Sequence, residues 1–209
     1  MLRLLKSFFT KQSIIIEERD PMKKFLIVGL GNIGEEYTET RHNIGFKILD
    51  EVAKTNDFTF ETAKLGDIGS YKVKGRTIIC LKPSTYMNRS GKALKYWMDK
   101  ENIPQCNVLV ITDDINLPFG TIRIKTKGSN GGHNGLKDVE LFLQTIQYNR
   151  YRFGVGSDFG KGRQVEYVLG QWNSDEQALL PERLKKSTEI INSFALAGIA
   201  RTMNQFNNS

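Results

Sequence analysis

Two histidines, one aspartate and three asparagines are the residues of this sequence whose types and spacing could carry out chemistry. His42 and His133 are the only histidines, and an asparagine follows each of them. A neutral imidazole is the usual general base near neutral pH, and a neighbouring carboxylate fixes the tautomer that accepts the proton. Asp113, at the end of an apolar run, could be that carboxylate for His42. The set predicts base-catalysed hydrolysis, while His133 taken alone favours a packed or surface role.

Asn32, Asn88 and Asn134 are uncharged amides that could position a water molecule and a carbonyl group without competing for the proton. Asn88 also has a structural interpretation, because it could cap the helix that follows it. No serine or cysteine nucleophile is indicated, since Cys80 falls inside an apolar run and Ser84 is not part of a G-x-S-x-G turn. The sequence therefore favours activated water as the nucleophile.

Apolar and β-branched runs predict the strands, and a period of 3.6 residues predicts the helices. The predicted strands are residues 25–28, 71–74, 77–81, 108–112 and 121–125, and the predicted helices are residues 44–53, 93–98 and 136–146. The turn pair Gly75-Arg76 predicts an antiparallel hairpin. We therefore expect a single α/β domain with a twisted mixed β-sheet and helices on both faces. Residues 174–177 form a capping-box pattern that begins a C-terminal helix, with Pro181 near its first turn.

Ligands of such sheets bind beyond the carboxyl ends of the strands. Asn32, Asn88 and Asp113 each follow a predicted strand, so we expect them to converge at this edge. The glycine-rich loop 128–135, which leads to Asn134, is predicted to act as a mobile gate over the site.

The run Gly29-Leu30-Gly31-Asn32-Ile33-Gly34 matches the G-x-G-x-x-G pattern of dinucleotide sites. That pattern requires a helix at the third glycine and an acidic residue at the end of the next strand. Residues 35–41 lack an apolar stripe, and Asp50 and Glu51 fall inside a predicted helix. A dinucleotide-dependent oxidoreductase is thus disfavoured, and the glycines serve a turn that presents Asn32.

The composition is that of a globular protein with surplus positive charge. The chain has 209 residues, of which 39% are hydrophobic and 25% charged, and its mean hydropathy is −0.38, which excludes a disordered or fibrous chain. No stretch approaches the roughly 20 apolar residues of a membrane span. A net charge of +7 favours an anionic partner such as nucleic acid. Cys80 and Cys106 lack C-x-x-C spacing, which argues against a zinc site and fits a reducing cytoplasm.

The same residues lie in ordered motifs that resemble the bacterial type of peptidyl-tRNA hydrolase. The matching blocks are residues 28–32, 40–45, 82–91, 113–120, 131–136, 152–156 and 167–170, with Tyr37 between the first two. They cover nearly all of residues 22–209, the expected domain, and leave residues 1–21 as an N-terminal extension, with a transit peptide as the alternative. Ile33 stands where the family usually has proline, and Asn116 where it commonly has a second aspartate.

The resemblance implies a monomeric, single-domain enzyme that needs no metal or organic cofactor, and the cysteine pattern predicts a cytoplasmic location. Its reaction would be hydrolysis of the ester between a peptide and the 3′ ribose of tRNA, which recycles the tRNA. His42 would be the catalytic base and Asp113 would orient it. The resemblance places five further residues at the substrate or water: Asn32 and Asn88 at both, Asn134 at the carbonyl region, and Tyr86 and Met87 at the peptide channel. Tyr37 would lie near the 3′ terminal nucleotide.

Positive charge is concentrated between residues 121 and 163, which contain eight basic and three acidic residues. We expect Arg123, Lys125 and Arg152 to contact phosphates of the tRNA acceptor stem, which would provide affinity with little sequence preference. A basic surface would also suit the alternative, a non-catalytic RNA-binding relative of the same fold. Retention of the histidine, the aspartate and the three asparagines argues against that alternative.

Overall fold

A seven-stranded β-sheet forms the centre of the protein in a computed structural model that describes residues 23–207. The predicted extension, residues 1–21, lies outside the described residues. The strands are β1 (Lys24–Gly29), β2 (Glu61–Ala63), β3 (Gly66–Val73), β4 (Arg76–Pro83), β5 (Val108–Asp114), β6 (Ile122–Lys125) and β7 (Asn149–Gly154). Their order across the sheet is β2-β3-β4-β1-β5-β7-β6.

The four central strands, β4, β1, β5 and β7, are parallel, whereas the pairs β2/β3, β3/β4 and β6/β7 are antiparallel. This arrangement confirms the predicted mixed sheet. It also brings the carboxyl ends of the four parallel strands to one edge of the sheet.

Helices cover both faces of the sheet. They are α1 (Ile44–Thr55), α2 (Ser90–Lys100), α3 (Asn134–Leu143), α4 (Gln164–Val168), α5 (Ser174–Ala197) and α6 (Ile199–Phe206). Side chains of β1 alternate between two cores: Ile27 packs with residues of α1 and α5, whereas Leu26 and Val28 pack with residues of α2 and α3. None of the helices within residues 23–207 is both long and apolar enough to cross a lipid bilayer.

The hairpin between β3 and β4 is antiparallel as predicted, but its turn consists of Lys74 and Gly75 instead of Gly75 and Arg76. Val73 pairs with Arg76, and Lys74 and Gly75 have φ values of 43° and 77°. Positive φ at both central residues is typical of the two-residue turn that matches strand twist. Arg76 therefore belongs to β4.

Helix α5 begins with a capping box, but the N-cap residue is Asn173 and not Ser174. The Asn173 side chain accepts the Glu176 N–H at 2.8 Å, and the Glu176 carboxylate accepts the Asn173 N–H at 2.9 Å. Pro181 is the eighth residue of the helix and not a first-turn residue, so the prediction of its place was wrong. Ile146, predicted at the end of α3, lies beyond the helix, which ends at Leu143.

Candidate active site

Asp113 lies between the two histidine rings at the carboxyl end of β5. Its Oδ1 and Oδ2 atoms are 2.9 and 3.0 Å from Nδ1 of His42, and Oδ1 is also 2.9 Å from Nε2 of His133. The ring centroids are 4.8 Å apart. Because Asp113 is only 5% exposed, the imidazoles replace water as hydrogen-bond donors to its carboxylate.

His42 reaches Asp113 because α1 begins directly against the end of β1. The single turn of 3-10 helix Arg41–Asn43 leads into α1. A Cβ atom on Gly29 would lie 2.4 Å from the Gly45 carbonyl oxygen, and one on Gly45 would lie 2.4 Å from the Leu30 carbonyl oxygen. Two glycines therefore permit the close contact that places His42 beside the sheet edge.

The hydrogen bonds assign the tautomers of both rings. Nδ1 of His133 accepts the backbone N–H groups of Gly135 and Leu136 at 3.1 and 3.3 Å, which makes His133 the N-cap of α3. Its proton must therefore be on Nε2, which donates to Asp113. His42 donates from Nδ1, so the lone pair of its Nε2 is left to accept a proton, as a general base requires.

Electrostatics keep Asp113 ionised and His42 basic. Burial raises the pKa of the Asp113 carboxyl, but the charges and hydrogen bonds of His42 and His133 outweigh it and hold the pKa far below its usual range. Burial lowers the pKa of His42, but the Asp113 charge and hydrogen bond outweigh it, so the pKa lies above 6.5. His42 is thus a stronger base than a free imidazole.

Asn32 is held in one orientation by its neighbours. Its Oδ1 accepts the Met87 N–H at 2.9 Å, so its amide Nδ2 remains to donate. Asn43, which is buried, accepts the Asn32 N–H at 2.8 Å and donates to the Asn32 carbonyl at 2.9 Å. Sequence reasoning did not single out Asn43, although it directly follows His42 in the chain.

A cavity of about 810 Å³ opens at this edge of the sheet. Its lining includes most of the predicted site residues: Asn32, His42, Tyr86, Met87, Asn88, Asp113, Lys125, Asn134 and Arg152. Asn134 is the first residue of α3, and the side chain of Asn88 does not cap α2, whose N-cap residue is Arg89. Both asparagines are exposed and face the cavity.

Tyr37 and Arg123 do not line this cavity. Tyr37 is half-buried in a single turn of 3-10 helix, Glu35–Tyr37, after the glycine run. No α-helix begins at Gly34, as the dinucleotide pattern would require. Arg123 is exposed on β6, and its guanidinium donates to the Asn207 carbonyl.

Arg150 and Arg152 have partners within the protein. Arg152 pairs with Asp114 and still lines the cavity. Arg150 is 2% exposed and donates to the carbonyl groups of Gly128, Ser129 and Ile146. Arg150 therefore fastens the start of loop 128–135 and is not an exposed phosphate contact.

The same loop carries His133, the site residue that sequence reasoning set aside. Its contact with Asp113 depends on the conformation of residues 128–132, which no sequence period specifies. The one signal in the sequence is that His133 is the only other histidine and stands at a helix start. Asn130 also ties the loop to α3 by donating to Glu140 at 2.7 Å, which argues against free motion of the whole segment.

His42, Asp113 and His133 are also a set of side chains that could ligate a metal, since their ligand atoms lie within 4.8 Å of one another. Four-coordinate zinc with bonds of about 2.0–2.1 Å separates its ligand atoms by roughly 3.3–3.4 Å. The nitrogen–oxygen distances of 2.9–3.0 Å are those of direct hydrogen bonds. This geometry favours a hydrogen-bonded group over a metal site.

Cys80 is fully buried in β4. Burial raises the pKa of its thiol well above the ordinary value, so the thiol stays protonated.

Fold and site together define an α/β enzyme of the hydrolase class, with an imidazole base, its carboxylate and amide side chains around one cavity.

Comparisons with known proteins identify the family. Residues 26–209 match the family model for peptidyl-tRNA hydrolase. The chain is 56% identical over 184 residues to the peptidyl-tRNA hydrolase of Bacteroides fragilis. The aligned residues cover 88% of this chain and 98% of that protein. It is 54% identical to that of Cytophaga hutchinsonii, with the same coverage.

The crystal structure of peptidyl-tRNA hydrolase from Acinetobacter baumannii has a similar fold. It matches with a TM-score of 0.83 at 34% sequence identity, and the match covers 89% of this chain and 95% of that chain. The chain belongs to the peptidyl-tRNA hydrolase family. The family and the fold suggested by the sequence motifs are thus confirmed.

Proposed function

We propose that this chain hydrolyses the ester bond between a peptide, or an N-blocked aminoacyl group, and the 3′ ribose of tRNA, with His42 as the general base. The observation that carries the proposal is the His42–Asp113 contact, which leaves Nε2 of His42 unprotonated at the cavity. The family match supports peptidyl-tRNA as the substrate.

The reaction begins when Nε2 of His42 takes a proton from a water molecule whose oxygen attacks the ester carbonyl carbon. Asp113 stabilises the imidazolium that forms, because its negative charge is hydrogen-bonded to Nδ1. The tetrahedral intermediate collapses by breaking the bond between the acyl carbon and the 3′ oxygen. The imidazolium then returns its proton to that oxygen, which releases tRNA and a peptide carboxylic acid, and the acid ionises by losing its proton to solvent.

The three amides act on the groups around the reacting carbon. Asn32, fixed through its Oδ1, offers Nδ2 as a donor, and Asn88 shares with it the positioning of water and substrate. Asn134 binds the carbonyl region. A preplaced donor to an oxyanion is worth roughly 2.7–4 kcal/mol where such a donor has been removed. Tyr86 and Met87 border the space for the peptide.

Binding of tRNA rests on a basic row at the sheet edge next to the cavity. Arg123 lies opposite Arg152 across β6 and β7, and Lys125 follows Arg123 by two residues on β6, so these three side chains share one face of the sheet. Lys125 and Arg152 line the cavity, whereas Arg123 lies outside the cavity lining on the same face of the sheet. Tyr37 takes part near the 3′ terminal nucleotide, on the strength of the family resemblance.

We further propose that the enzyme works as a monomer in the cytoplasm. Cys80 and Cys106 are both free, and Cys106 is exposed, which fits a reducing compartment.

The test of the function is release of free tRNA from N-acetyl-aminoacyl-tRNA by the purified full-length chain. We expect catalytic turnover without added metal and in the presence of a chelator. Binding of tRNA without turnover would contradict the proposal and favour the non-catalytic RNA-binding alternative.

A further inference from the structure

Helix α4 forms one wall of the cavity but has few contacts with the rest of the protein. Four residues of this segment line the cavity: Gln164, Val165, Val168 and Leu169. Val165 is 69% exposed and Leu169 is 36% exposed, and none of the helix residues is buried. A short helix with so little buried surface cannot fix its own position, so the position of this wall depends on its attachments.

The attachments converge on Arg41, the residue before His42. Its backbone N–H donates to the Gly170 carbonyl at 3.1 Å, and its Nη1 donates to the Gln171 carbonyl at 2.6 Å. Its guanidinium lies over the Tyr167 ring, 4.4 Å from the centroid. Tyr167 in turn donates its hydroxyl to the Val155 carbonyl at 2.7 Å.

Arg41 is also joined to the start of α5. Its Nη2 donates to the Glu176 carboxylate at 2.7 Å, and that carboxylate also closes the capping box with Asn173. The side chains of Arg41 and Glu176 are 8% and 10% exposed. The guanidinium therefore links three segments: the turn that carries His42, the end of α4 and the first turn of α5.

We infer that Arg41 is a positioning residue that sets the place of the α4 wall over the cavity, and that this wall contacts apolar side chains of the bound peptide. The inference rests on the proposed function. Val165, Val168 and Leu169 offer apolar surface, which suits peptide side chains better than the anionic tRNA. Loss of the tether should therefore weaken peptide recognition while His42 and Asp113 keep their geometry.

Substitution of Arg41 by lysine is the sharpest perturbation. It preserves the positive charge next to Glu176 but lacks the planar group that bonds the Gln171 carbonyl and the Glu176 carboxylate at once and stacks on Tyr167. The experiment compares two substrates that carry different acyl groups on the same tRNA. One carries the short N-acetyl-glycyl group and the other the longer, apolar N-acetyl-leucyl-leucyl-leucyl group. For Arg41→Lys we expect kcat/KM to fall about tenfold with the longer apolar substrate, mainly through KM. With N-acetyl-glycyl-tRNA the change should stay below about twofold, and the acid limb of the pH profile should not move.

Two further variants separate tethering from folding. Val165→Ser alters the wall and leaves Arg41 in place, so it should reproduce the selective loss with the longer substrate. Tyr167→Phe removes only the hydroxyl bond to Val155 and should show a smaller loss of the same kind. Arg201→Lys, an exposed substitution on α6, is the matched control and should change neither substrate.

Equal losses on both substrates, or no loss on either, would overturn the inference. If Arg41→Lys fails to fold, the Val165→Ser and Tyr167→Phe variants decide the question by the same criterion. Absence of hydrolysis of both substrates by the wild-type chain would instead refute the proposed function, so the two failures are distinguishable.

Discussion

Replacement of Asp113 by asparagine should reduce kcat by about 10²–10⁴ without unfolding the protein. The carboxylate accepts hydrogen bonds from both rings, at 2.9 and 3.0 Å from His42 and at 2.9 Å from His133. An amide has only one oxygen, so its NH₂ group must face one of the rings. The proton of His133 is fixed on Nε2 by two backbone N–H groups at Nδ1, so the oxygen must stay toward His133.

The NH₂ group of the substituted amide would therefore replace Oδ2, 3.0 Å from Nδ1 of His42, while the amide oxygen stays at the Oδ1 position, 2.9 Å from both rings. The NH₂ hydrogens would oppose a proton on Nδ1, which favours the His42 tautomer that carries its proton on Nε2 and lacks the lone pair that accepts the water proton. A wrong tautomer of this kind costs about 10⁴ in a serine protease, and loss of general-base catalysis costs at least about 10². At about 1.36 kcal/mol per factor of ten, the barrier should rise by about 2.7–5.4 kcal/mol.

The assay is single-turnover release of tRNA at saturating enzyme, with thermal unfolding as the check of folding. The matched control is Asp99→Asn, because Asp99 is an exposed partner of Lys95 on α2 and its substitution should leave kcat unchanged. A folded Asp113→Asn variant that keeps kcat within tenfold of wild type would refute the reasoning about the tautomer.

Three other predictions concern the pH profile, the fold and the RNA surface. Because the pKa of His42 is raised above 6.5 and only its neutral form accepts a proton, kcat/KM should fall on the acid side through a pKa above 6.5. His133→Asn keeps a good N-cap for α3 but removes one hydrogen-bond donor to Asp113, so the acid limb of kcat/KM should move to still higher pH. An acid limb that does not move would exclude the coupling of His133 to His42 through Asp113. Gly45→Ala should lower the free energy of unfolding by about 1–3 kcal/mol or more, since its Cβ would meet Leu30 backbone atoms at 2.4–2.5 Å. Denaturant unfolding measures this change, with Gly160→Ala as the control because the nearest atom to its Cβ lies at 3.9 Å. Equal stabilities of the two variants would contradict the contact between Gly45 and Leu30. Lys125→Ala should reduce the slope of log affinity for tRNA against log salt by about 0.7–0.9, whereas an unchanged slope would remove Lys125 from the phosphate contacts.

Three of the four central strands, β1, β4 and β5, were predictable because they are continuous apolar runs, as buried parallel strands are. Strand β7 was missed although it lies between β5 and β6. Arg150 and Arg152 interrupt its apolar pattern, and the charge of Arg150 is satisfied by loop carbonyls that lie far from it in the sequence. Contacts between segments that are distant in the chain do not produce a local hydrophobic pattern, so the sequence alone did not predict this strand.

The contact between His42 and Asp113 was predictable because each residue stands at the end of a recognisable element. The position of His133 was not, because it depends on the conformation of a glycine-rich loop and on the Arg150 bonds that fasten it. The same limit applies to Arg41, whose partners Tyr167, Gln171 and Glu176 lie at least 126 residues away. Catalytic candidates can therefore be predicted from residue type and position in the chain, whereas the residues that position them through long-range contacts cannot.

The most direct test of the central claim is the single-turnover rate of His42→Ala on N-acetyl-aminoacyl-tRNA, measured together with its affinity for that substrate. We predict a rate about 10²–10⁴ lower than wild type with an affinity that stays within about threefold, since the imidazole acts on water and not on tRNA. A rate close to that of wild type would contradict the assignment of His42 as the base.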